Sequence, residues 1–367
     1  MINDKTIAVV VPCYNEAEQI GMVVETMPDF VDKIVVVNDL SQDKTSDVVA
    51  DYFGKFPEVH IPARDYDTKG KINNIYLRAE HILDNKNKEE IKYFTPHEIV
   101  NIKPEHDRVI LINHLENGGV GAAIATGYKW CKDYDIDCTA VMAGDGQMDP
   151  DELESICRPV IDENIDYVKG NRLIHRSSWF VIPKTRYFGN SILSILTKIA
   201  SGYWHVSDTQ TGYTAISKRA INSIKLYDIY KRYGMPNDML VKLNITFCTL
   251  KEVEIKPVYN VGEKSKMKVT RVIIPIMWLL CKSFFKRMWI KYLFRDFHPL
   301  FLLYHLGLFL LLAAIPFLID ILLNAFKIGS ATPFQTMIIF IFLIISGSQS
   351  LFFAMWMDIQ DNDRLYK

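Results

Sequence analysis

Ile7 to Pro12 is an unbroken apolar run, and Ile34 to Val37 and Val109 to Ile112 repeat the pattern. Segments apolar at every position fit strands buried on both faces, as in a parallel sheet covered by helices. Each run ends in a polar or glycine-rich turn and then a helical period. Cys13 to Glu16 precede a helix from Ala17 to Met27, and Asn38 to Asp43 precede one from Thr45 to Tyr52. Gly118 to Ala123 open a small-residue helix through Lys132. Strand, polar turn and helix, repeated, predict a doubly wound α/β sheet whose turns gather along one edge. Further strands are predicted at Val141 (breaking at Gly144), Tyr167 to Gly170, Thr214 to Ser217 and Thr249 to Pro257. Helices are predicted from Asp151 to Glu163, up to Ser201, and from Met235 through Leu243.

The pattern fails between residues 62 and 107, where polar and charged positions dominate and only Ile75 to Leu83 keeps a weak helical period. This reads as an insertion on the sheet, because a structureless loop of that length is unusual in a compact domain. After Tyr259 the character changes again. Lys264, Lys266 and Lys268 are followed by Val272 to Phe294, where apolar and aromatic positions alternate with Lys282, Lys286, Arg287 and Lys291. Basic, aromatic and amphipathic together predict a helix at a membrane interface. Pro299 to Leu323 and Phe334 to Met357 are then nearly free of charge, apart from Asp320. A 25-residue helix is about 37 Å long against a hydrocarbon core of about 30 Å, so the two predict a transmembrane hairpin. Five Lys/Arg lie within 282–295 against Lys327 alone in the connecting loop. The positive-inside rule then puts the main domain and both termini in the cytosol.

Composition adds little to this picture, but it excludes some classes. A net charge of -1 over 367 residues argues against a general nucleic-acid binder. The six cysteines form no Cys-x-x-Cys pair, which fits reduced thiols and not a disulfide framework or zinc site.

Candidate chemistry centres on Val141 to Pro150, which presents Asp145, Gln147 and Asp149 within five residues at the end of a buried strand. Mg²⁺ usually takes one or two carboxylates and completes its shell with substrate phosphates and water. Asp145 with the Gln147 amide oxygen is therefore a candidate metal site, provided the substrate is a diphosphate. Asp149 before Pro150 also reads as a helix cap. The turn containing Gly121 can offer N–H groups to phosphate, although such glycines serve close packing equally well.

Seven motifs stand in one order: Pro12-Cys13-Tyr14-Asn15-Glu16, Asn38-Asp39-Leu40-Ser41-Gln42-Asp43, Gly119-Val120-Gly121-Ala122-Ala123, Gly144 to Pro150, Gly170-Asn171-Arg172, Arg186-Tyr187-Phe188-Gly189-Asn190, and Asp208-Thr209-Gln210-Thr211-Gly212-Tyr213. In that order, and with the hairpin, the chain resembles the inverting family-2 glycosyltransferases, in particular the dolichyl- or polyprenyl-phosphate branch. The resemblance implies a GT-A (Rossmann-like) nucleotide-sugar domain, followed by an interfacial amphipathic helix and two C-terminal transmembrane helices. It implies that Pro12, Tyr14 and Glu16 line the nucleoside pocket and that Asp39 binds the base. Asp145 and Gln147 would hold Mg²⁺ or Mn²⁺ on the donor diphosphate, and Arg172, Lys184 and Arg186 would receive the lipid phosphate. Asp238, opening a helix, reads as a cap or as an acceptor-side carboxylate. Two positions depart from the family pattern: Ala143 stands for the first Asp of the Asp-x-Asp signature, and Asn38-Asp39-Leu40-Ser41 stands for Asp-Asp-Gly-Ser.

The expected layout is a cytosolic catalytic domain over 1–260, a basic interfacial segment over 261–297 and a hairpin with a short tail over 298–367. The expected reaction is metal-dependent, inverting transfer of a hexose or N-acetylhexosamine from a nucleotide-diphosphate sugar to a polyprenyl or dolichyl phosphate at the bilayer. Two alternatives remain. A membrane polysaccharide synthase of the same fold should carry a Gln-x-x-Arg-Trp motif, which the chain lacks, and two spans would need a homo-oligomer to enclose a polymer. A non-catalytic membrane scaffold is favoured only by Ala143.

Overall fold

The computed structural model describes residues 1–64, 66, 75–258, 269–326 and 331–367, with the side chains at 185, 186, 188 and 269–273 also left aside. Lys264, Lys266, Lys268, Lys327, the Arg186 side chain and part of the 62–107 insertion therefore lie outside the described residues.

The strands are β1 (Ile7–Cys13), β2 (Lys33–Asn38), β3 (His97–Ile99), β4 (Val109–His114), β5 (Cys138–Val141), β6 (Tyr167–Asn171), β7 (Thr214–Ser217) and β8 (Leu250–Glu254). They form one sheet in the order β3-β4-β2-β1-β5-β7-β6-β8. β4, β2, β1 and β5 are parallel, as are β6 and β8, whereas β3 and β7 run antiparallel to their neighbours. Along β1, Ala8 and Val10 join the core on one side of the sheet, and Ile7, Val9 and Val11 join the core on the other. Successive strand residues face opposite ways, so only a run that is apolar throughout can fill both layers.

The doubly wound expectation holds for the first half and breaks at β7. Thr214, the first residue of β7, pairs with Val141, the last of β5. The chain thus enters β7 at the carboxyl edge of the central strands. This brings residues 208–213 to the same edge as the polar turns.

The helices are α1 (Ile20–Glu25), α2 (Thr45–Ala50), α3 (Arg78–Glu89), α4 (Val120–Asp133), α5 (Leu153–Asp162), α6 (Ser178–Val181), α7 (Lys184–Ser201), α8 (Lys218–Ser223), α9 (Met235–Ile245), α10 (Val269–Trp289), α11 (Pro299–Phe326) and α12 (Phe334–Asp363). α4 presses on β1 so closely that a side chain at Gly127 would overlap Val10. Ile20 of α1 and Ile156 of α5 pack on the opposite face. The insertion supplies α3 and the edge strand β3.

α10 lays Ile276 and Leu280 against Ala200 of α7 and Val241 of α9, and leaves Ile274 and Trp278 exposed at 75% and 71%. One face therefore packs on α7 and α9 while apolar side chains stay uncovered on another. α11 and α12 are long and apolar enough to cross a membrane, and 11% of each one's most apolar stretch is buried within the protein. They meet at glycines: a Cβ at Gly307 would lie 3.0 Å from the Gly347 carbonyl oxygen. A depression of about 510 Å³ on α12, lined by residues such as Ile345, Phe352 and Trp356, includes no charged side chain. The tail after α12 returns to the sheet, where Leu250 N–H donates to the Leu365 carbonyl at 2.7 Å and Lys367 N–H donates to that of Leu250 at 2.9 Å.

Candidate active site

β1 is flanked by β2 on one side and β5 on the other. A crevice opens outside the carboxyl ends of such strands, where the chain order reverses. Met142 N–H donates to Val10 O at 3.0 Å and Gly144 N–H to Pro12 O at 3.3 Å, which carries the β5 segment onward beside the β1 turn. The cleft there has a volume of about 490 Å³. It brings together Pro12, Tyr14, Glu16, Asp39 and Asp145, all of them singled out in the sequence.

Two turns form one rim. Asn15 and Leu40 both take the left-handed conformation, at φ 56° and 60°. Leu40 stands where the family pattern has glycine, the residue that adopts this conformation without a Cβ penalty. Asn15 N–H donates to Ser41 Oγ at 2.9 Å, and Asn15 Oδ1 accepts from Gln42 N–H at 2.7 Å. Asn38 is buried, with its amide bonded to Ser46 Oγ and Asn113 Oδ1 at 2.7 and 3.1 Å.

Asp39 is held by three partners. Gly118 N–H donates to Oδ1 at 2.8 Å, Gly119 N–H to Oδ2 at 2.7 Å, and His114 Nδ1 lies 2.7 Å from Oδ1. Burial pushes this carboxyl up, but the His114 and glycine donors outweigh it and hold the group below its ordinary value. On its other side His114 Nε2 lies 2.9 Å from Thr126 Oγ1 of α4. Asp39 thus ties β2 to the glycine turn, and any contact with a base comes from a group already held in place. Sequence reasoning missed His114. Its only signal was a polar residue ending an otherwise apolar strand.

Asp145 lines the cleft and accepts the Gln147 N–H on Oδ1 at 3.1 Å. Among the described residues no cluster of three or more His, Cys, Asp or Glu could cage a metal. The donor set at this rim fits only a hard cation that takes most of its oxygens from phosphate and water. Gln147 does not line the cleft. It lines a neighbouring recess of about 50 Å³ with Arg172, Thr211 and Lys256. Asp149 caps the turn that opens with Pro150, accepting from Asp151 N–H at 3.0 Å, and it also pairs with Lys256 at 3.2 Å.

Arg172 Nε and Nη2 donate to the two oxygens of Asp208 at 2.8 and 3.1 Å. Burial raises the Asp208 carboxyl, and Arg172 more than offsets it, so the net shift is downward. Lys169 is fully enclosed beneath them and donates to the Thr211 carbonyl. Burial pulls its ammonium down to about 8, against the pull of Asp208 and Glu252. The sequence placed Arg172 on an acceptor phosphate. The structure places it at the recess with its fork held by Asp208.

The remaining residues are more dispersed. Lys184 opens α7, with Nζ 5.9 Å from the centre of the Trp179 ring, and Trp179 and Phe180 are 51% and 86% exposed. Asp238 is buried in the first turn of α9 and accepts from Tyr230 N–H at 2.8 Å and from Lys242 at 2.5 Å. It therefore braces the loop before α9. Gly121 is placed otherwise than a phosphate donor would be. Its N–H donates to the Lys231 carbonyl at 2.9 Å, and a side chain there would collide with Tyr230.

The model of the family described as Glycosyl transferase family 2 matches residues 8–82 and 92–225. A protein of Methanococcus voltae named UDP-N-acetylglucosamine–dolichyl-phosphate N-acetylglucosaminyltransferase is 28% identical over 272 residues, covering 74% of this chain and 92% of that relative. An uncharacterized protein of Methanocaldococcus jannaschii is 27% identical over 274 residues, covering 74% and 88%. The solved structure of glucosyl-3-phosphoglycerate synthase from Mycobacterium tuberculosis with Mn²⁺, UDP and glucosyl-3-phosphoglycerate aligns at 14% identity with a TM-score of 0.46, over 77% of this chain and 80% of that one. That likeness is too distant to carry an argument.

Proposed function

Since the chain belongs to glycosyl transferase family 2, an enzyme family, we propose that it moves a hexose or N-acetylhexosamine from a nucleotide-diphosphate sugar to a polyprenyl or dolichyl phosphate at a membrane face. The observation that carries this reading is the joint placement of Pro12, Tyr14, Glu16, Asp39 and Asp145 around one cleft at the switch point of the sheet. The relative named for UDP-N-acetylglucosamine and dolichyl phosphate makes that pair the first to test. The two long apolar helices fit an acceptor confined to a bilayer, and the excess of Lys/Arg within 282–295 over the connecting loop supports a cytosolic catalytic domain and cytosolic termini.

The acceptor phosphate is already an anion, so little general-base catalysis is needed. One of its oxygens attacks the anomeric carbon, the bond from that carbon to the donor diphosphate breaks, and the nucleoside diphosphate leaves with the bonding pair. In-line attack inverts the anomeric centre. The site must hold two anions together and stabilise the leaving one. Asp145 would hold Mg²⁺ or Mn²⁺ there, with Gln147 brought in from the adjacent recess; a bound divalent ion supplies Lewis-acid stabilisation of the leaving diphosphate. Asp39, fixed by His114, keeps the glycine turn against the nucleoside. Arg172, held rigid by Asp208, faces the recess where the acceptor phosphate is assigned, and Lys184 and Arg186 at the start of α7 guide it in.

The test is a donor panel with the purified full chain and a polyprenyl phosphate in vesicles. Formation of a glycosyl-phosphoryl lipid from one nucleotide sugar supports the reading. Extension of a growing polymer would favour the synthase alternative, and no turnover with any donor would favour a scaffold.

A further inference from the structure

The loop before α9 lines the donor cleft through Arg232 and Tyr233 as a strap, and its contacts are specific. Lys231 O accepts the Gly121 N–H at 2.9 Å, and a Cβ at Gly119 would lie 2.5 Å from that same oxygen. Arg232 Cγ lies 3.5 Å from the same Gly119 Cβ position, so the stem of Arg232 runs beside the N-terminus of α4. Behind the strap, Asp238 accepts the Tyr230 N–H, Met235 N–H donates to Arg232 O at 2.9 Å, and Gly234 packs against Leu279 of α10. The strap backbone is thus fixed at both ends, while the Arg232 side chain is exposed and, among the described residues, makes no hydrogen bond or ion pair.

The charges of the cleft give this position its meaning. Glu16, Asp39 and Asp145 line it, and among its described lining residues Arg232 is the only cation. A nucleoside diphosphate brings further negative charge into an acidic cleft. One divalent ion on Asp145 cannot balance all of it. A guanidinium offers a planar pair of donors that matches phosphate oxygens.

We propose that Arg232 is a donor-binding residue that clasps the diphosphate of the nucleotide sugar from the strap side of the cleft that Asp145 also lines. This rests on the nucleotide-sugar reading of the cleft. The strap was passed over in the sequence because Lys231-Arg232-Tyr233-Gly234 reads as an ordinary polar connection into a helix.

The experiment is titration of the full chain in detergent with UDP, GDP, UMP, uridine and a short prenyl phosphate, with and without Mg²⁺. The variants are Arg232→Ala, Arg232→Lys, Asp145→Asn and, as a charge control on the strap, Lys231→Ala. Arg232→Ala should weaken UDP binding by about tenfold or more, the scale of a charge-assisted hydrogen bond. Uridine binding should be unchanged, and Arg232→Lys should recover part of the loss. The loss should persist in chelator, whereas the effect of Asp145→Asn should vanish there. Unaltered UDP binding in Arg232→Ala overturns the proposal, as does an equal loss for uridine or an equal loss in Lys231→Ala. A loss confined to the prenyl phosphate assigns Arg232 to the acceptor and also overturns it. If wild-type protein binds none of the nucleotides, including GDP, the cleft reading itself has failed, a result separate from any effect of Arg232.

Discussion

Arg287 of α10 and Asp358 of α12 form a buried two-pronged ion pair, with Nη1–Oδ1 at 2.7 Å and Nη2–Oδ2 at 2.8 Å and both side chains fully enclosed. Arg287 also donates to the carbonyls of Ala200 and Ile199 at 2.9 and 3.0 Å, the last turn of α7. Lys291 adds contacts of 3.0 Å to Asn244 of α9 and 2.6 Å to Asn362 of α12. The end of the hairpin is thereby joined to the helix that Lys184 opens.

Breaking this pair from one side leaves an uncompensated buried charge. Asp358→Asn should destabilise the protein by about 3–5 kcal/mol. An apolar replacement of both partners, Arg287→Met with Asp358→Leu, should recover only part of that loss, because it leaves the Ala200 and Ile199 carbonyls and the Tyr292 hydroxyl without their partners. Thermal melts in one detergent check both, and a single variant that melts like wild type contradicts the assignment.

The same packing sets an expectation for truncation. Ending the chain after Tyr259 removes the cover of Ala200 and Val241 and the backbone partners of Leu250. The truncated domain should be unstable or aggregate, with exposed apolar surface seen as dye binding. Read from sequence, the C-terminal third looks like an anchor on a separable domain. The network was not legible because its partners lie 47 to 88 residues apart. Asp358 and Asn362 simply read as the polar end of an apolar helix.

His114 links Asp39 to Thr126 from inside the core. His114→Ala leaves buried polar groups without a partner, at a cost of about 1–3 kcal/mol. Donor KM should rise several-fold while acceptor KM stays near wild type. Equal changes in both would mean that His114 supports the fold alone.

What the sequence made plain was local. The β1 run, the turns after β1 and β2, and Asp145 are each contained in a few neighbouring residues, so period and turn chemistry found them. The antiparallel entry into β7, the pairing of Arg172 with Asp208 and the strap over Gly121 depend on where distant segments return to one edge. No local pattern carries that.

Lys169 predicts a pH dependence. Its folded pKa is lowered to about 8 by burial, from an ordinary value of 10.5. Between those values the unfolded chain holds more protons, so this contribution to stability rises with pH through that window and is flat below it. Lys33 and Lys291 shift the same way, so the test is a difference. Wild type should gain on Lys169→Met between pH 7.5 and 9.5 by about 1–2 kcal/mol in denaturant unfolding. A constant gap would mean that Lys169 stays protonated across the window and would contradict the lowered pKa.

Lys184 is exposed and lies outside the donor cleft. Lys184→Glu should raise the apparent KM for polyprenyl phosphate several-fold and leave donor KM unchanged, as read in initial rates on vesicles. A rise in donor KM instead would move Lys184 to the other substrate.

The central claim is tested most directly by the chemistry of one turnover. Purified full chain, UDP-N-acetylglucosamine and the wider donor panel, and a polyprenyl phosphate would be mixed with Mg²⁺, with chelator, and with Asp145→Asn. The released nucleotide and the anomeric configuration of the product would be measured together. The account predicts one nucleoside diphosphate released per glycosyl-phosphoryl lipid formed, an inverted anomeric centre, and loss of both products in chelator and in Asp145→Asn. Release of a nucleoside monophosphate, a retained configuration, or full turnover in Asp145→Asn would contradict it.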